Sequence, residues 1–218
     1  MKKRIEVIAS LIEKSDALCD VGCDHGYVAE KALEYKRVNK VYVTDISKPS
    51  LDKAIELLSK SYPENFSAYY TDGLTGVPRA EQVVIAGMGG EEIIKILNKS
   101  AYKPVILILQ PMKNADKLRK FLHDNGYGIE RDFTFFADKK YYDVMRAKLG
   151  VEDFYSKKEE TYGRENLKGN PDFLNLLDKK IAETEGILSS DMQEKSKETL
   201  SEKLRLLRGL KDEIKRNL

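Results

Sequence analysis

The stretch DVGCDHGY, residues 20–27, decides the fold of this 218-residue chain. It follows a short apolar run at 17–21 and opens a helical pattern, which is typical of the first strand and helix of an open α/β sheet. Gly22 and Gly26 allow the chain to turn tightly and let a ligand approach the backbone. The stretch therefore predicts a ligand-binding loop at the carboxyl end of a first strand.

Short apolar runs and helical patterns alternate along the first 125 residues. The runs predict strands at 17–21, 40–44, 67–71, 82–86 and 105–109. The patterns between them predict helices at 28–35, 49–61, 91–97 and 115–124, and Asn125-Gly126 suits a left-handed C-cap for the last helix. Such alternation is typical of βαβ units, so we expect a parallel sheet.

Two strand-like runs, 129–137 and 141–149, follow with no room for a helix between them. The connection Asp138-Lys139-Lys140 predicts a hairpin. A parallel sheet that ends in an antiparallel hairpin is typical of the methyltransferase branch of the Rossmann-like folds, whereas the nicotinamide-binding branch usually continues with parallel strands. We therefore expect a Rossmann-like α/β methyltransferase domain over residues 1–150.

From about residue 151 the apolar periodicity becomes helical. The apolar positions are Phe173, Leu176, Leu177, Ile181, Leu200, Leu204, Leu207, Leu210, Ile214 and Leu218. They predict an antiparallel helix pair in a helical, coiled-coil-like accessory domain over 151–218. Two roles stay open for this domain: a packing or dimerisation element with a solvated charged face, or a surface that binds RNA. We expect a monomer, or a dimer through these helices.

The composition, 41% hydrophobic and 34% charged, is that of a soluble globular protein. No apolar run approaches the roughly 20 residues that a membrane span requires, and the charged pattern at 5–8 does not fit a signal-peptide core. We therefore expect a cytoplasmic protein without a membrane partner. Cys19 and Cys23 lack the spacing and the histidines of a zinc site, so no metal is expected. The net charge of +2 does not by itself indicate nucleic-acid binding.

Asp24 stands where a dinucleotide-binding fingerprint would place glycine. A carboxylate there would repel a pyrophosphate, so Asp24 disfavours NAD and FAD. S-adenosylmethionine has no phosphate and carries an ammonium and a sulfonium, which suit carboxylates at Asp20 and Asp24. In the alternative, Asp24 only caps the helix that follows. His25 and Tyr27 project from the same loop and could stack on a base, although a lone loop histidine is more often structural.

Asp45 ends the second predicted strand, and Asp72 follows the third. Asp45 lies close to the roughly 20-residue offset at which a carboxylate binds ribose hydroxyls, and Asp72 could accept a hydrogen bond from an adenine amino group. Ile46 and Gly73, which follow them, are expected beside the same ligand. The alternatives are an N-cap of the next helix for Asp45, a role that Ser47 could fill, and a simple Asp-Gly turn for Asp72.

Glycines cluster again after the fourth predicted strand, in Gly87-Met88-Gly89-Gly90. Three glycines in four residues before a helix indicate backbone brought against a substrate or the transferred methyl, or else only a flexible connection. The fifth strand runs into Gln110, whose amide could pair with a base edge or serve as a polar cap of the strand.

Six motifs together resemble the bacterial TrmK family, the tRNA (adenine-22-N1)-methyltransferases. They are DVGCDHGY (20–27), TDIS (44–47), TDGL (71–74), IAGMGG (85–90), LILQP (107–111) and YGRENLKGNPDFL (162–174). The resemblance runs through nearly the whole chain. It implies S-adenosylmethionine-dependent methylation of adenine N1 at position 22 of tRNA, with the C-terminal helices as a tRNA-binding accessory.

The resemblance also implies two sets of site residues. Those that would hold the cofactor are Asp20, Gly22, Asp24, Gly26, Asp45, Ile46, Asp72, Gly73, Gly87 and Met88. Those that would act on or border the target adenine are Asp24, His25, Tyr27, Met88, Gly89, Gly90, Gln110 and Pro111. Met112 occupies the position at which family members usually have Asn.

Adenine N1 has a lone pair in the neutral base, so it can attack the methyl without prior deprotonation. Positioning and electrostatics would then carry most of the rate. A group that accepts a hydrogen bond from the exocyclic amine would stabilise the developing charge, and the candidates are Asp24, Gln110 and the Gly87 carbonyl. Candidates for phosphate contacts, with solvated surface charge as the alternative, are Lys2, Lys3, Arg4, Lys113, Lys117, Arg119, Lys120, Lys139 and Lys140.

Two other functions stay open at this point. One is a methyltransferase for another RNA base or a small molecule. The other is a non-catalytic protein that binds the cofactor or RNA, because the sequence shows no obvious catalytic acid or base.

Overall fold

A computed structural model describes residues 2–190, 193–216 and 218, without the side chain of Lys2. The strands in chain order are β1 (Ser15–Val21), β2 (Val38–Asp45), β3 (Phe66–Tyr70), β4 (Gln82–Met88), β5 (Ile106–Pro111), β6 (Tyr127–Ala137) and β7 (Lys140–Leu149). The helices are α1 (Lys2–Ser10), α2 (Tyr27–Glu34), α3 (Lys48–Ser61), α4 (Gly90–Lys99), α5 (Ala115–Asp124), α6 (Lys157–Tyr162), α7 (Arg164–Leu167), α8 (Pro171–Leu188) and α9 (Glu194–Arg216).

The strands form one sheet in the order β3-β2-β1-β4-β5-β7-β6. The pairs among β1 to β5 are parallel, and β7 is antiparallel to both β5 and β6. The predicted Rossmann-like methyltransferase sheet with its terminal hairpin is therefore confirmed. Its topology brings the carboxyl ends of β1 to β4 to one edge, where ligands bind in open α/β sheets.

Helices cover both faces of the sheet. Apolar side chains of α1, α2 and α3, among them Ile8, Ala29 and Leu58, fill the core on one face. Side chains of α4 and α5, including Ile93 and Leu118, fill the core on the other. The six residues of β5 are all buried because neither face of this strand reaches solvent.

The elements between residues 15 and 149 lie within two residues of the predicted bounds, and α5 has the bounds predicted for it. Gly126, after α5, has the left-handed φ of +80° expected of a helix C-cap. The hairpin turn is one residue shorter than predicted, because Lys140 already belongs to β7. Asp138 and Lys139 form it, both with positive φ, as a type I′ turn requires.

The N-terminal helix α1 was not predicted. Ile5, Ile8 and Ile12 have a helical spacing, and Ile8 and Ile12 are buried in the core. The pattern is hard to recognise in the sequence, because the helix has nine residues and four of them, Lys2, Lys3, Arg4 and Glu6, are charged. Packing of the apolar stripe against the sheet stabilises a helix that is too short to form alone.

The predicted antiparallel helix pair at the C-terminus is confirmed as α8 and α9. Phe173 and Leu177 pack against Leu210 and Ile214 in its apolar seam. Two short helices that were not predicted, α6 and α7, precede the pair. Among the described helices, none is long and apolar enough to cross a membrane.

The helix α7 and the first turn of α8 are attached to the outer edge of β6 by side-chain hydrogen bonds. Glu165 Oε1 accepts from the backbone N–H of Asp132 at 2.8 Å, and Asn166 Oδ1 accepts from that of Thr134 at 2.8 Å. Asp172 does the same for Phe136. These oxygens accept the hydrogen bonds that a neighbouring strand would otherwise accept. The backbone N–H groups at the free edge of β6 are therefore paired with the helical segment.

Candidate active site

A pocket of about 340 Å³ lies at the carboxyl ends of β1 to β4. Most of the predicted site residues line it: Asp20, Gly22, Asp24, His25, Tyr27, Asp45, Ile46, Asp72, Gly73, Gly87 and Met88. Gly26, Gly89, Gly90, Gln110 and Pro111 do not. The fold therefore brings together residues from four strand ends that are far apart in sequence.

Asp20 is the most buried carboxylate of the pocket, with 4% of its surface exposed. Its Oδ2 accepts a hydrogen bond from the backbone N–H of Ala29 at 3.3 Å, in the first turn of α2. Burial raises the pKa of Asp20 to about 7, the hydrogen bond from Ala29 lowers it, and the neighbouring Asp45 carboxylate raises it. Asp20 thus sits where a cationic ligand group would favour its ionised form.

Asp45 organises two neighbouring backbone segments. Its Oδ2 accepts from the N–H of Asp24 at 3.1 Å, and its Oδ1 accepts from the N–H of Ser47 at 2.7 Å. The N-cap of α3 is Ser47, whose hydroxyl accepts from Ser50 N–H, so the capping alternative for Asp45 is wrong. A carboxylate has about four acceptor positions, so Asp45 can still bind ligand hydroxyls.

The glycine loop after β1 places backbone against the pocket. Gly22 has a φ of +66°, and a Cβ at this position would overlap Met88 Cε across the pocket. Gly26, with φ of +73°, is the N-cap of α2, and a Cβ there would lie 2.9 Å from Ala54 Cβ of α3. Gly22 therefore keeps the pocket open, whereas Gly26 lets two helices approach each other.

Asp24, His25 and Tyr27 form a connected group at the pocket surface. Asp24 Oδ2 lies 2.9 Å from His25 Nδ1, and the rings of His25 and Tyr27 are parallel, 5.4 Å apart. Because Gly26 caps α2, the capping alternative for Asp24 is wrong. The Asp24 side chain is 65% exposed and has a left-handed backbone, which leaves it accessible to a substrate.

Asp72 lies at the far side of the pocket, after β3. Its Oδ2 pairs with Lys99 Nζ at 2.8 Å, and both side chains are exposed. Thr44 donates a hydrogen bond to the Gly73 carbonyl at 3.0 Å and so fixes this turn to β2. The Asp72 carboxylate is accessible to a ligand, but it already forms an ion pair with Lys99.

Gly89 and Gln110 are not part of the pocket wall. Gly89 is the N-cap of α4. Gln110 is fully buried, and its amide donates to the Pro111 carbonyl at 3.2 Å and to Met112 Sδ at 3.4 Å. A base edge cannot reach Gln110 in this conformation, because the side chain has no exposed surface.

Sequence reasoning missed several residues that line the pocket. Thr44, Glu92 and Ile96 belong to predicted elements, whereas Arg4 and Ile5 come from the unpredicted α1. The isoleucine spacing of residues 5, 8 and 12 is the one signal that could have placed α1 beside the site.

The candidate phosphate contacts divide into several kinds. Arg119 is wrong as a contact, because it is 1% exposed and paired with Asp132 inside the protein. Lys117 and Lys120 are exposed but paired with carboxylates, and the side chain of Lys2 lies outside the described residues. Lys3, Lys113, Lys139 and Lys140 are exposed and form no ion pair with the carboxylates that the structure describes.

The residues of the pocket fit S-adenosylmethionine and disfavour a dinucleotide. Carboxylates at Asp20, Asp24 and Asp45 line the loop where a pyrophosphate would have to pack. The same carboxylates suit an ammonium and ribose hydroxyls. The positive φ of Gly22 and Gly87 gives a flat ligand close access to the backbone.

A family model described as "Methyltransferase domain" matches residues 1–145. The chain belongs to this methyltransferase family. The match covers the sheet through most of β7 and includes every strand end that lines the pocket. The family therefore agrees with the fold and with the position of the site.

Three curated relatives of this methyltransferase are similar to it over most of the sheet domain. A protein of Mycoplasma genitalium is 29% identical over 65% of the chain. A protein of Mycoplasma pneumoniae is 35% identical over 59% of the chain. The chain spans 66% and 62% of the lengths of these two relatives. A Bacillus subtilis protein named tRNA (adenine(22)-N(1))-methyltransferase is 28% identical over 70% of the chain and 67% of its own length.

A solved structure extends the similarity to the C-terminal helices. TrmK from M. capricolum, in complex with S-adenosylhomocysteine, has a TM-score of 0.84 with 21% identity and covers 97% of each chain. The Bacillus subtilis relative confirms, in sequence, the resemblance to the TrmK family that the motifs indicated. The solved structure shows that the fold is shared over nearly the whole chain.

Proposed function

We propose that this methyltransferase transfers a methyl group from S-adenosylmethionine to N1 of the adenine at position 22 of tRNA. The observation that carries the proposal is the similarity to the Bacillus subtilis tRNA (adenine(22)-N(1))-methyltransferase over 70% of the chain. The acidic, glycine-walled pocket supports it, because its chemistry suits that cofactor.

In the proposed complex the cofactor supplies an electrophilic methyl group on its sulfonium. Asp45 would bind the ribose hydroxyls with the acceptor positions that Asp24 N–H and Ser47 N–H leave free. Asp20 would favour a cationic group of the methionyl part, and Ile46, which lines the pocket, would lie beside the adenine. Asp72 would accept from the adenine amino group while keeping its contact with Lys99.

The target base would lie against the stacked rings of His25 and Tyr27, since aromatic platforms bind unstacked bases. The Asp24 carboxylate or the Gly87 carbonyl accepts a hydrogen bond from the exocyclic amine and stabilises the positive charge that N1 gains. Gln110 takes part only if Met112 moves, because Met112 Sδ now accepts from its amide. Gly89 acts through the position of α4.

The helical segment after residue 150 is proposed to hold the body of the tRNA. Its attachment to β6 fixes its position relative to the methyltransferase sheet. The oligomeric state stays a prediction, a monomer or a dimer through α8 and α9, where Ile187 and Leu206 are exposed apolar side chains. A cytoplasmic location follows from the tRNA substrate.

The test incubates purified protein with S-adenosylmethionine labelled in the methyl group and with unmodified tRNA carrying adenine at position 22. A matched tRNA with guanine at that position is the control. Labelled 1-methyladenosine from the first tRNA and no label in the second is the expected result. Asp45→Asn should reduce incorporation, and Asp52→Asn, an exposed residue of α3, should not.

The other functions give different results in the same assay. A methyltransferase for another base would label both tRNAs, and an enzyme for small molecules would label neither. A protein that only binds would retain the cofactor without any transfer. Each of these results contradicts the proposed activity.

A further inference from the structure

The pocket has a strongly uneven distribution of charge. Five acidic residues line it, Asp20, Asp24, Asp45, Asp72 and Glu92. Arg4 is the one Lys or Arg among the described residues that line it. A ligand group that carries negative charge therefore has one favourable place in this pocket, beside Arg4.

The Arg4 guanidinium is held at the β4 end of the pocket. A Cβ at Gly87 would lie 2.9 Å from Arg4 Nη2, so the guanidinium reaches the bare backbone of Gly87. Its Cζ lies 5.6 Å from the centroid of the Tyr142 ring, a cation–π contact. Ile5 and Ile8 on the same helix pack against the core. These contacts orient the guanidinium before any ligand arrives.

The hydrogen-bonding capacity of Arg4 is incompletely used. Its Nε is buried and has no hydrogen-bond partner among the described residues. Among the described residues no carboxylate forms an ion pair with the guanidinium, although five acidic residues line the pocket. A buried donor without an acceptor is costly, and the planar fork of arginine matches the two oxygens of a carboxylate.

The order of the strands separates the two ends of the pocket. Asp72 follows β3, Asp45 ends β2, and Gly87 lies on β4, with β1 between β2 and β4. Strands about 4.8 Å apart put β3 and β4 roughly 14 Å from each other. An extended ligand whose nucleoside lies at Asp45 and Asp72 would therefore have its other end near Gly87 and Arg4.

We propose that Arg4 binds the α-carboxylate of the methionyl part of S-adenosylmethionine through a charge-assisted, bidentate contact. This assignment rests on the proposed function. The carboxylate is the one anionic group of that cofactor, and the acidic side chains elsewhere in the pocket would repel it. Arg4 thereby sets the direction in which the cofactor lies and keeps the methyl near Gly87 and Met88.

Binding of two ligands by calorimetry tests the assignment. S-adenosylmethionine and its decarboxylated form differ by the carboxylate alone, and the wild-type protein should bind the first about 10- to 100-fold more tightly. Arg4→Met should weaken binding of S-adenosylmethionine by the same factor and leave binding of the decarboxylated form unchanged. Arg4→Lys, which keeps the charge without the fork, should recover part of the affinity.

Lys3→Met is the matched control, because Lys3 is an exposed residue of the same helix that does not line the pocket. It should bind both ligands like the wild type, and thermal melting should show all variants folded. Equal weakening of both ligands by Arg4→Met, or no change in either, would overturn the role of Arg4. If Arg4 fails this test and the wild type still methylates tRNA, the proposed function stands without the role of Arg4. A wild type that binds neither ligand would overturn the proposed function and the role of Arg4 together.

Discussion

The carboxylate of Asp45 accepts a hydrogen bond from the backbone N–H of Asp24 at 3.1 Å, across 21 residues of sequence. The contact joins the end of β2 to the glycine loop after β1, which is the loop that would face the cofactor. Asp45 therefore has two roles, since it orders the loop and also presents acceptor positions to a ligand.

Asp45→Ala should lower the affinity for S-adenosylmethionine about 100-fold, and Asp45→Asn about 10-fold, because Asn keeps one acceptor oxygen. Calorimetry gives these affinities, with Asp52→Asn as the exposed control. Hydrogen exchange at the Asp24 amide should also quicken in Asp45→Ala, since that amide loses its acceptor. Unchanged exchange would contradict the loop-ordering role.

Gly22→Ala should weaken cofactor binding at least about 10-fold. The new Cβ would overlap Met88 Cε and push it into the pocket, and the positive φ would add about 1 kcal/mol of strain. Gly76→Ala is a matched control, because Gly76 has a similar φ of +71° and no atom within 4 Å of an added Cβ. Equal affinities of the two variants would show that Met88 moves aside without cost.

Asp20 should make the ligand-free protein less stable as the pH rises. Its folded-state pKa is raised to about 7 by burial, so between about pH 4 and pH 7 the folded state holds a proton that the unfolded state has lost. The free energy of unfolding should therefore fall across that range and level off above it. The sign is opposite to that of a salt-bridged carboxylate.

Asp20→Asn removes this dependence and keeps an oxygen for the Ala29 N–H. Relative to the wild type it should gain about 2–3 kcal/mol between pH 5 and pH 8, measured by urea unfolding at each pH. The neighbouring Cys23 does not titrate in this range, because burial raises the pKa of its thiol further from neutrality. A difference between wild type and variant that does not change with pH would contradict an elevated pKa.

The sequence allowed prediction of the parts of the site that follow from local chemistry. Asp45 was identifiable from its offset after the glycine loop, and the hairpin from two apolar runs with a short connection. Arg4 was not identifiable as a pocket residue, because its position depends on α1 packing against the sheet. The local sequence pattern predicts whether a segment is a helix or a strand. Which residues distant in sequence line the same pocket depends on how those elements pack together.

Arg119 shows the same limit from the opposite side. A basic residue in an amphipathic helix between two lysines is usually a surface charge, and the sequence reading treated it so. Its partner Asp132 lies on β6, after α5 and a turn, and nothing in the spacing of the two residues indicates that both are buried. The pairing becomes visible only when the helix is placed on the sheet.

Breaking the Arg119–Asp132 pair should cost far more than breaking a surface ion pair. Arg119 Nε and Nη2 donate to the two oxygens of Asp132 at 2.9 and 3.0 Å, and both side chains are 1% exposed. Arg119 Nη1 also donates to the carbonyls of Glu160 and Thr161, which connects α6 to the sheet. Removal of either partner leaves a buried charge without compensation.

Arg119→Met and Asp132→Asn should each lower the free energy of unfolding by about 3–5 kcal/mol, and the double variant by less than the sum, because the second change removes the stranded charge. Arg131→Met, at the exposed pair with Glu165, should cost less than about 1 kcal/mol. Urea unfolding of the four variants measures these values. Additive losses in the double variant would show that the two side chains act independently and would contradict a coupled buried pair.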